Sequence, residues 1–184
     1  INVIQLNKFN IKVKLMCGIA GVFNFDNAKI NPEITNVIKN SLEHRGPDFS
    51  RVNYLNDNVA LIHTRLAIID LDNRSNQPMI SNDKRYSIVF NGEIYNYKEI
   101  RKELESIGVE FYTDGDTEVL LEAYANYGSD TLDFLRGQFA FVIYDSLEES
   151  LFLARDRVGI KPLYFSLNEK NIIFSSEIKA IENS

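Results

Sequence analysis

The chain contains one cysteine, Cys17, and its chemistry is the first question that the sequence raises. A single cysteine rules out an internal disulfide framework and a metal site built from several cysteines. Two interpretations remain, a small buried hydrophobic side chain or a reactive thiol. Most free cysteines are buried and inert, so a reactive Cys17 needs support from other residues.

The pair Asn91-Gly92 is a second candidate, because it directly follows an apolar stretch. An Asn-Gly pair is typical of a two-residue hairpin turn. Alternatively, the Asn91 side-chain amide and the Gly92 backbone N–H would form an oxyanion hole. Each fixed donor of this kind stabilises a developing negative oxygen by about 3 kcal/mol. Position in the sequence leaves both interpretations open.

Four further residues carry charge or can titrate. Arg65 and Asp116 would clamp an amino acid, with the guanidinium on its α-carboxylate and the carboxylate on its α-ammonium. The simpler interpretation of Asp116 is a helix cap. His44 and His63 would be needed for a Cys-His protease. Neither has an evident orienting carboxylate, so we expect both to be structural.

Apolar periodicity predicts the strands that must position these residues. Phe139–Tyr144 is apolar throughout, so we expect both of its faces to be covered. A polar turn should join it to a strand at Leu151–Ala154 as a hairpin, followed by two strands of the same meander. Those two strands are Pro162–Phe165 and Ile172–Phe174. The remaining predicted strands are 17–25, Val59–His63, Leu66–Leu71 and Tyr86–Phe90, the last of which is ended by Asn91-Gly92.

Start and stop signals predict the helices. Asn31-Pro32 is a cap followed by proline in the first turn, Tyr97 begins a helix that Gly108 ends, and a third helix runs from Asp116 to Gly128. A last helix begins at Ser176. Helices flanking many antiparallel strands favour an α+β fold of two packed sheets with helical outer layers.

The composition limits the class of protein. The chain has 184 residues, 45% of them hydrophobic and 25% charged, which fits one globular domain. A net charge of -6 argues against a nucleic-acid or anionic-membrane surface. No apolar run reaches the roughly 20 residues of a membrane-spanning helix, and we expect a cytoplasmic protein.

Residues 1–15 differ from the rest, with three lysines and no acidic residue. They have no continuous apolar core of a signal peptide. Met16 directly precedes Cys17, so we expect translation to begin at Met16 and 1–15 to be a reading artefact outside the fold. A cleaved propeptide and an extra edge strand are the alternatives.

Nine stretches resemble the N-terminal glutaminase domain of glutamine-dependent asparagine synthetases, which are N-terminal-nucleophile amidotransferases. They occur in the order found in that family and cover nearly all of 16–184, the predicted type 2 glutamine amidotransferase domain. The stretches are Met16–Gly21, His44–Asp48, His63–Ile68, Gln77–Met79, Asn91–Tyr97, Gly115–Val119, Gly137–Phe141, Arg155–Tyr164 and Ser175–Ala180.

The resemblance implies a four-layer αββα sandwich and a role for each candidate. Cys17 becomes N-terminal when Met16 is removed, and its own amine is the base for its thiol. Asn91 and Gly92 hold the oxyanion. Arg65 holds the glutamine α-carboxylate, and Glu93 and Asp116 surround its amino end. Retained residues 1–15 would block this mechanism.

The resemblance also implies partners. Ammonia passes to an ATP-dependent synthetase domain that makes asparagine from aspartate, and a homodimer is left open. The sequence contains no phosphate-binding loop of the Ser-Gly-Gly-Leu-Asp-Ser type. We therefore expect no cofactor in this chain, with ATP and magnesium confined to the synthetase domain, and glutamine hydrolysis at most. Arg155–Tyr164 resembles a segment close to that domain, or forms a tight corner between strands.

Two alternatives remain. One is a non-catalytic glutamine-binding or interaction domain with Cys17 blocked by the leader. The other is an amidotransferase with a sugar or another acceptor. Arg74-Ser75 departs from the small residues often found there in relatives, and we expect only a local loop difference.

Overall fold

The computed structural model describes residues 16–66 and 76–184. The predicted leader, the predicted strand that follows Leu66, and Arg74-Ser75 lie outside these residues. The described ranges contain no helix long and apolar enough to cross a membrane. Their strands are β1 Gly18–Asn24, β2 Phe49–Tyr54, β3 Val59–Arg65, β4 Met79–Ile80, β5 Tyr86–Ile94, β6 Gly137–Asp145, β7 Ser150–Arg155, β8 Tyr164–Leu167 and β9 Asn171–Ser175.

Three helices of the described residues begin and end close to where local signals predict, whereas Thr131–Phe134 was not predicted and the last helix begins at Ile178 instead of Ser176. Asn31 caps the first helix, since its side chain accepts a hydrogen bond of 2.9 Å from the Glu33 N–H, and Pro32 is the first helical residue. Gly108 and Gly128 follow two helices with φ of 95° and 58°. The helices are α1 Pro32–Leu42, α2 Tyr97–Ser106, α3 Asp116–Tyr127, α4 Thr131–Phe134 and α5 Ile178–Glu182.

The strands form two antiparallel sheets. The first, sheet A, has the order β2-β3-β1-β9-β8, and the second, sheet B, has the order β4-β5-β6-β7. Strand β6 shows how the sheets stack, because its side chains alternate between two cores. Ala140 and Val142 face sheet A, whereas Phe139 and Phe141 face α2 and α3. The prediction that both faces of this strand are covered is confirmed.

Three apolar layers hold the four structural layers together. One lies between the sheets, one between sheet B and α2 and α3, and one between sheet A and α1 and α5. The predicted α+β fold with four αββα layers is therefore confirmed. The layer between the sheets contains Ile19, Phe23, Val59, Leu61, Val89, Ala140, Val142, Tyr144, Ile172 and Phe174.

Two predictions about the strands were wrong. Asn91-Gly92 does not end β5, which continues to Ile94 with Gly92 paired to Phe139 of β6. The local turn signal is overridden by a long partner strand. Strands β8 and β9 do not continue the β6–β7 meander, because the chain crosses to sheet A after Arg155 and β9 pairs with β1.

Strands β2 and β4 were not predicted. β2 is an edge strand, and its polar residues Ser50, Arg51 and Asn53 hide the alternation that marks a half-buried strand. β4 has only two residues, too few for a periodic signal. Both lie at sheet edges, where packing on one side alone gives a weak sequence pattern.

Candidate active site

Strand alternation directs several candidate residues into one end of the gap between the sheets. On β3, Val59 and Leu61 belong to the layer between the sheets, so His63 and Arg65 point the same way. On β5, Val89 belongs to that layer and Asn91 follows two residues later. Cys17 precedes Ile19 of β1 by two residues, and Ile19 belongs to the same layer, so Cys17 faces the gap as well. Because β5 packs across from β1 and β3, the two sheets contribute to one site.

The Cys17 thiol lies beside the end of β3. Its Sγ accepts a hydrogen bond from the Leu66 N–H at 3.4 Å and donates to the Leu66 carbonyl at 3.6 Å. Burial raises the pKa of the thiol, while the Leu66 backbone contact and the cations of Arg65, Lys161 and Arg45 oppose this rise. Cys17 is half-buried and so not inert core. The pKa of the thiol stays above its ordinary value in this structure, and the surrounding cations lessen the rise without reversing it.

Side chains from distant segments fix the start of β1. The Gly18 N–H donates to Thr64 Oγ1 at 3.1 Å, and this hydroxyl donates to the Leu42 carbonyl at 3.1 Å. The Ile19 N–H donates to Ser176 Oγ at 3.0 Å. These bonds satisfy backbone groups at the strand terminus, so they fix the backbone that carries Cys17.

The turn after α1 adds another anchor. Arg45 Nε donates to the Cys17 carbonyl at 3.2 Å, and its Nη1 bonds Glu177 Oε1 at 3.0 Å. Gly46 permits this packing, because a Cβ there would lie 2.4 Å from the Thr64 carbonyl carbon. His44 Nε2 lies 2.9 Å from the same Glu177 oxygen. His44 therefore has a carboxylate partner, which the sequence analysis did not find.

Asn91 provides a buried amide with unused donors. It is 2% exposed, and its Nδ2 has no hydrogen-bond partner within the described part of the chain. Leaving such a group unpaired costs about 1–3 kcal/mol in the folded protein. A polar group that stays unpaired in the core often has a role in binding or catalysis.

The Gly92 N–H points away from β6, to the side of β5 that the N–H groups of Phe90 and Ile94 also face. Gly92 lies opposite Phe139 of β6, but the Phe139 N–H donates to Asp156 Oδ2 at 3.2 Å instead of to Gly92. Gly92 and Phe139 are therefore a pair without mutual hydrogen bonds. The neighbouring donors point to that edge too, since the Phe90 N–H donates to Gln77 Oε1 at 2.6 Å and the Ile94 N–H to Asp116 Oδ2 at 2.9 Å. The Gly92 donor thus lies between Gln77 and Asp116.

The simpler interpretation of Asp116 was a helix cap. In the structure Gly115 takes the cap position, and Asp116 is the first residue of α3. The pKa of the Asp116 carboxyl is raised to about 6, mainly by burial and to a lesser extent by the nearby Glu93, while backbone N–H groups oppose the rise. Glu93 itself is exposed on β5. Asp116, which accepts from the Ile94 N–H, and Glu93 therefore lie at the same end of β5 as Asn91 and Gly92.

Arg65 lies on the sheet A side of the gap, close to Cys17. It is 7% exposed, and its Nη1 donates to Asn76 Oδ1 at 2.7 Å. The structure thus groups Arg65 with Cys17 on sheet A, and Asn91, Gly92, Glu93 and Asp116 at sheet B. Their roles as ligands of a substrate stay predictions.

His63 lies between these groups without the properties of a base. It is 1% exposed, and burial, helped by Arg65, lowers its pKa to about 3, although the Phe90 carbonyl opposes this. Neither ring nitrogen makes a hydrogen bond of ordinary geometry to the described residues. A ring that stays neutral in the core fits the structural role that we expected.

Three residues near Cys17 had no predicted role. Arg45, Lys161 and Glu177 all lie in stretches that carry the family resemblance, but each charge is isolated in the sequence. Only the fold brings them together, from the turn after α1, the loop after β7 and the segment before α5. Their position within these stretches was therefore the signal from which the three residues could have been found.

Comparison with known proteins agrees with this geometry. The family model of the glutamine amidotransferase domain matches residues 16–184. Asparagine synthetase 1 of Bacillus subtilis is 43% identical over 169 residues, which cover 90% of this chain and 26% of that protein. Asparagine synthetase B of Escherichia coli is 39% identical over 173 residues, covering 90% and 30%. The chain thus spans less than a third of the length of these two relatives.

A solved structure shares the fold. Glutamine phosphoribosylpyrophosphate amidotransferase from Bacillus subtilis superposes with a TM-score of 0.73 at 23% identity, over 91% of this chain and 43% of that one. This likeness shows that the two chains share the fold of two stacked sheets between helical layers.

Gly92→Ala should destabilise the protein by about 1–3 kcal/mol, because overpacking of this size forces backbone shifts. The added Cβ would lie 2.4 Å from the Gln138 carbonyl oxygen and 2.7 Å from Phe139 Cα, both backbone atoms. Urea denaturation measures the loss. Gly115→Ala is the matched control, since its Cβ meets nothing closer than 3.9 Å. Equal losses in both variants would contradict the close contact between β5 and β6.

Asp116→Asn should stabilise the protein above pH 6 by about 1–3 kcal/mol. With a pKa raised to about 6, the charged carboxyl costs the folded state stability. This cost is absent below about pH 4, grows as the pH rises, and is complete above pH 6. The variant keeps an acceptor for the Ile94 N–H.

Urea denaturation at pH 4 and pH 7.5 tests this linkage, with Asp133→Asn on the exposed surface as the control. The gain should appear at pH 7.5 alone. A variant that is equally stabilised at both pH values, or destabilised at pH 7.5, would show that burial does not raise the pKa of Asp116.

Proposed function

The chain belongs to the glutamine amidotransferase domain family, and from this premise we propose that it hydrolyses glutamine to glutamate and ammonia with Cys17 as the nucleophile. The observation that carries the proposal is the buried Nδ2 of Asn91, which finds no hydrogen-bond partner among residues 16–66 and 76–184 and lies in the gap that Cys17 also faces. An unused donor beside a thiol suits a reaction in which negative charge develops on oxygen.

The reaction begins at the side-chain amide of glutamine. The Cys17 thiolate adds to the amide carbon, and the carbonyl oxygen becomes an oxyanion that accepts hydrogen bonds from Asn91 Nδ2 and the Gly92 N–H. The C–N bond then breaks, and a proton delivered to the nitrogen releases ammonia. Water hydrolyses the remaining γ-glutamyl thioester to glutamate and the free thiol.

The base for this reaction is the α-amine of Cys17, which exists only when no residue precedes it. An α-amine titrates near pH ~8 and a thiol near ~8.5, so proton transfer between them costs little. His63 is buried and neutral, and His44 is bonded to Glu177, so neither competes for this role. Activity therefore requires that residues 1–16 are removed.

Charges on both sides of the gap support the orientation proposed for glutamine. Arg65 on sheet A binds its α-carboxylate, and Asp116 with Glu93 at the end of β5 binds its α-ammonium. A cation beside Asp116 would also recover the energy that burial of its charge costs.

The wider activity rests on the relatives. Proteins named asparagine synthetase (glutamine-hydrolysing) match this chain at 37–43% identity over about 90% of its length. We therefore propose that the ammonia passes to an ATP-dependent synthetase domain that makes asparagine. The cytoplasm is the proposed compartment, because a free thiol needs a reducing environment.

The start of the chain tests the mechanism. A chain that begins at Cys17 should release ammonia and glutamate from glutamine, whereas a chain that retains residues 1–16 should not. Cys17→Ala in the shorter chain should abolish turnover while glutamine still binds. Intact mass confirms each N-terminus, and a coupled glutamate assay measures turnover.

Comparable turnover by the longer chain would remove the amine from the mechanism. Substantial turnover by Cys17→Ala would remove the thiol. Glutamine binding without turnover in every form would favour a non-catalytic glutamine-binding domain. A sugar or another acceptor is distinguished by supplying candidate acceptors to the longer protein that contains the synthetase domain.

Asn91→Asp should lower kcat about 10²–10³-fold and change KM much less, because the lost donor acts mainly on the transition state. The substitution keeps the shape of the side chain and replaces the amide nitrogen by oxygen. Asn40→Asp, on the exposed face of α1, is the control for the added charge. A large rise in KM with kcat unchanged would assign Asn91 to substrate binding instead of the oxyanion hole.

A further inference from the structure

Strand β5 is covered unequally on its two edges. Strand β6 pairs with it along its whole length, whereas β4 has two residues and pairs only with Ser87 and Ile88. The N–H groups of Phe90, Gly92 and Ile94 therefore point to an edge that no strand of the described ranges covers. Backbone donors inside a protein need acceptors, so other groups must replace the missing strand here.

Two side chains take the outer donors of this edge. Gln77 Oε1 accepts from the Phe90 N–H at 2.6 Å. Asp116 Oδ2 accepts from the Ile94 N–H at 2.9 Å. The two acceptors come from different segments, since Gln77 lies two residues before β4 and Asp116 begins α3. The Gly92 N–H, a donor of the proposed oxyanion hole, lies between them on the same edge.

The Gln77 side chain also reaches the start of α3. Its Nε2 donates to Thr117 Oγ1 at 3.3 Å, and Thr117 directly follows Asp116 in that helix. Gln77 is 6% exposed and Thr117 is 9% exposed, so water competes little for this bond. One side-chain amide thus connects the strand that carries Asn91 and Gly92 to the helix that carries Asp116.

We infer that Gln77 is a positioning residue, whose amide holds the oxyanion donors on β5 and the ammonium-binding carboxylate on α3 in a fixed arrangement. The inference rests on the proposed function and deepens it. A bound glutamine would span both groups, with its side-chain amide at Asn91 and Gly92 and its α-ammonium at Asp116. A site built on two elements needs a connection between them, because a misplacement of about 1 Å costs a factor of about 10² in rate.

The two hydrogen bonds of Gln77 have different consequences. The Oε1 bond fixes the peptide between Phe90 and Asn91, so its loss moves the donors that act on the transition state and lowers kcat. The Nε2 bond fixes the first turn of α3, so its loss frees Asp116 and raises KM. Loss of folded protein alone would lower the apparent kcat and leave KM unchanged, so a rise in KM distinguishes positioning from stability.

Kinetics of the chain that begins at Cys17 test this division. Gln77→Met keeps the length of the side chain and replaces the amide by a thioether, so kcat should fall about 10²-fold and KM should rise about fivefold. Thr117→Val removes only the partner of Nε2, so KM should rise about fivefold while kcat changes much less. Thr117→Ser keeps a hydroxyl and should restore KM.

A double variant and a control complete the kinetic experiment. Adding Thr117→Val to Gln77→Met should raise KM no further, because the bond between the two side chains is already lost. Thr35→Val is the matched control, since Thr35 is buried in α1 and bonds the Pro32 carbonyl at 2.9 Å and the Tyr54 hydroxyl at 2.7 Å. Helix α1 packs on sheet A and α3 on sheet B, so the KM of Thr35→Val should equal that of the wild type.

Amide hydrogen exchange, measured by NMR, gives a second readout that needs no glutamine. The Ile94 N–H bonds Asp116 and not Gln77, so its exchange reports how firmly the start of α3 is held. Exchange at Ile94 should become about fivefold faster in Gln77→Met and in Thr117→Val. It should match the wild type in Thr117→Ser and in Thr35→Val.

The outcomes separate the two proposals. Faster exchange at Ile94 in Thr117→Val, restored in Thr117→Ser, supports the inference even if glutamine is not hydrolysed, which would overturn the proposed function alone. Unchanged exchange at Ile94 overturns the inference, and so does equal acceleration in Thr35→Val, because it reflects global stability. KM increases that add in the double variant also overturn it. If Gln77→Met does not fold, the Thr117 variants decide the result on both readouts.

Discussion

The two sheets must bury their inner faces against each other, and the side-chain directions at the candidate site follow from this requirement. Ile19, Val89 and Val142 meet in the layer between the sheets. Burying one such side chain contributes about 1.5–3 kcal/mol, and a one-residue slip would turn every alternate residue outward. The same alternation directs Cys17 and Asn91 into the gap, so the strand register that packs the core also positions the candidate site.

The free protein bears a cost at this end of the gap. Within the part of the chain that the structure describes, neither the Asn91 Nδ2 nor the His63 ring makes a hydrogen bond of ordinary geometry, and burial raises the pKa of Asp116. Each feature costs the folded protein stability, because a buried polar or charged group without a matching partner is unfavourable. The apolar layers around β6 provide the stability that makes such a site tolerable.

Signals confined to one segment predicted structure well. The Asn31-Pro32 helix start and the buried strand at 139–144 needed no information from elsewhere. Asn91-Gly92 misled the local interpretation because the deciding contact is with Gln138 and Phe139 of β6. The assignment of β8 and β9 to the wrong sheet has the same cause, since apolar periodicity specifies a strand and not its partner. For the site, motifs supplied the candidate residues, and the roles of Arg45, Lys161 and Glu177 depend on contacts across the fold.

Cys17, the proposed nucleophile, lies at the start of the fold, but residues from the end of the chain hold it in place. Ser176 bonds the Ile19 N–H, Glu177 orients the arginine on the Cys17 carbonyl, and the loop from Arg155 brings Lys161 beside Met16. Strand β9 must therefore pair with β1 before the surroundings of the thiol are complete. A contact between such distant segments forms only when most of the chain has folded, because closing long loops is costly in entropy. The thiol of a partly folded chain then lacks the backbone contacts and cations of the folded site, so the proposed reaction depends on the completed sandwich.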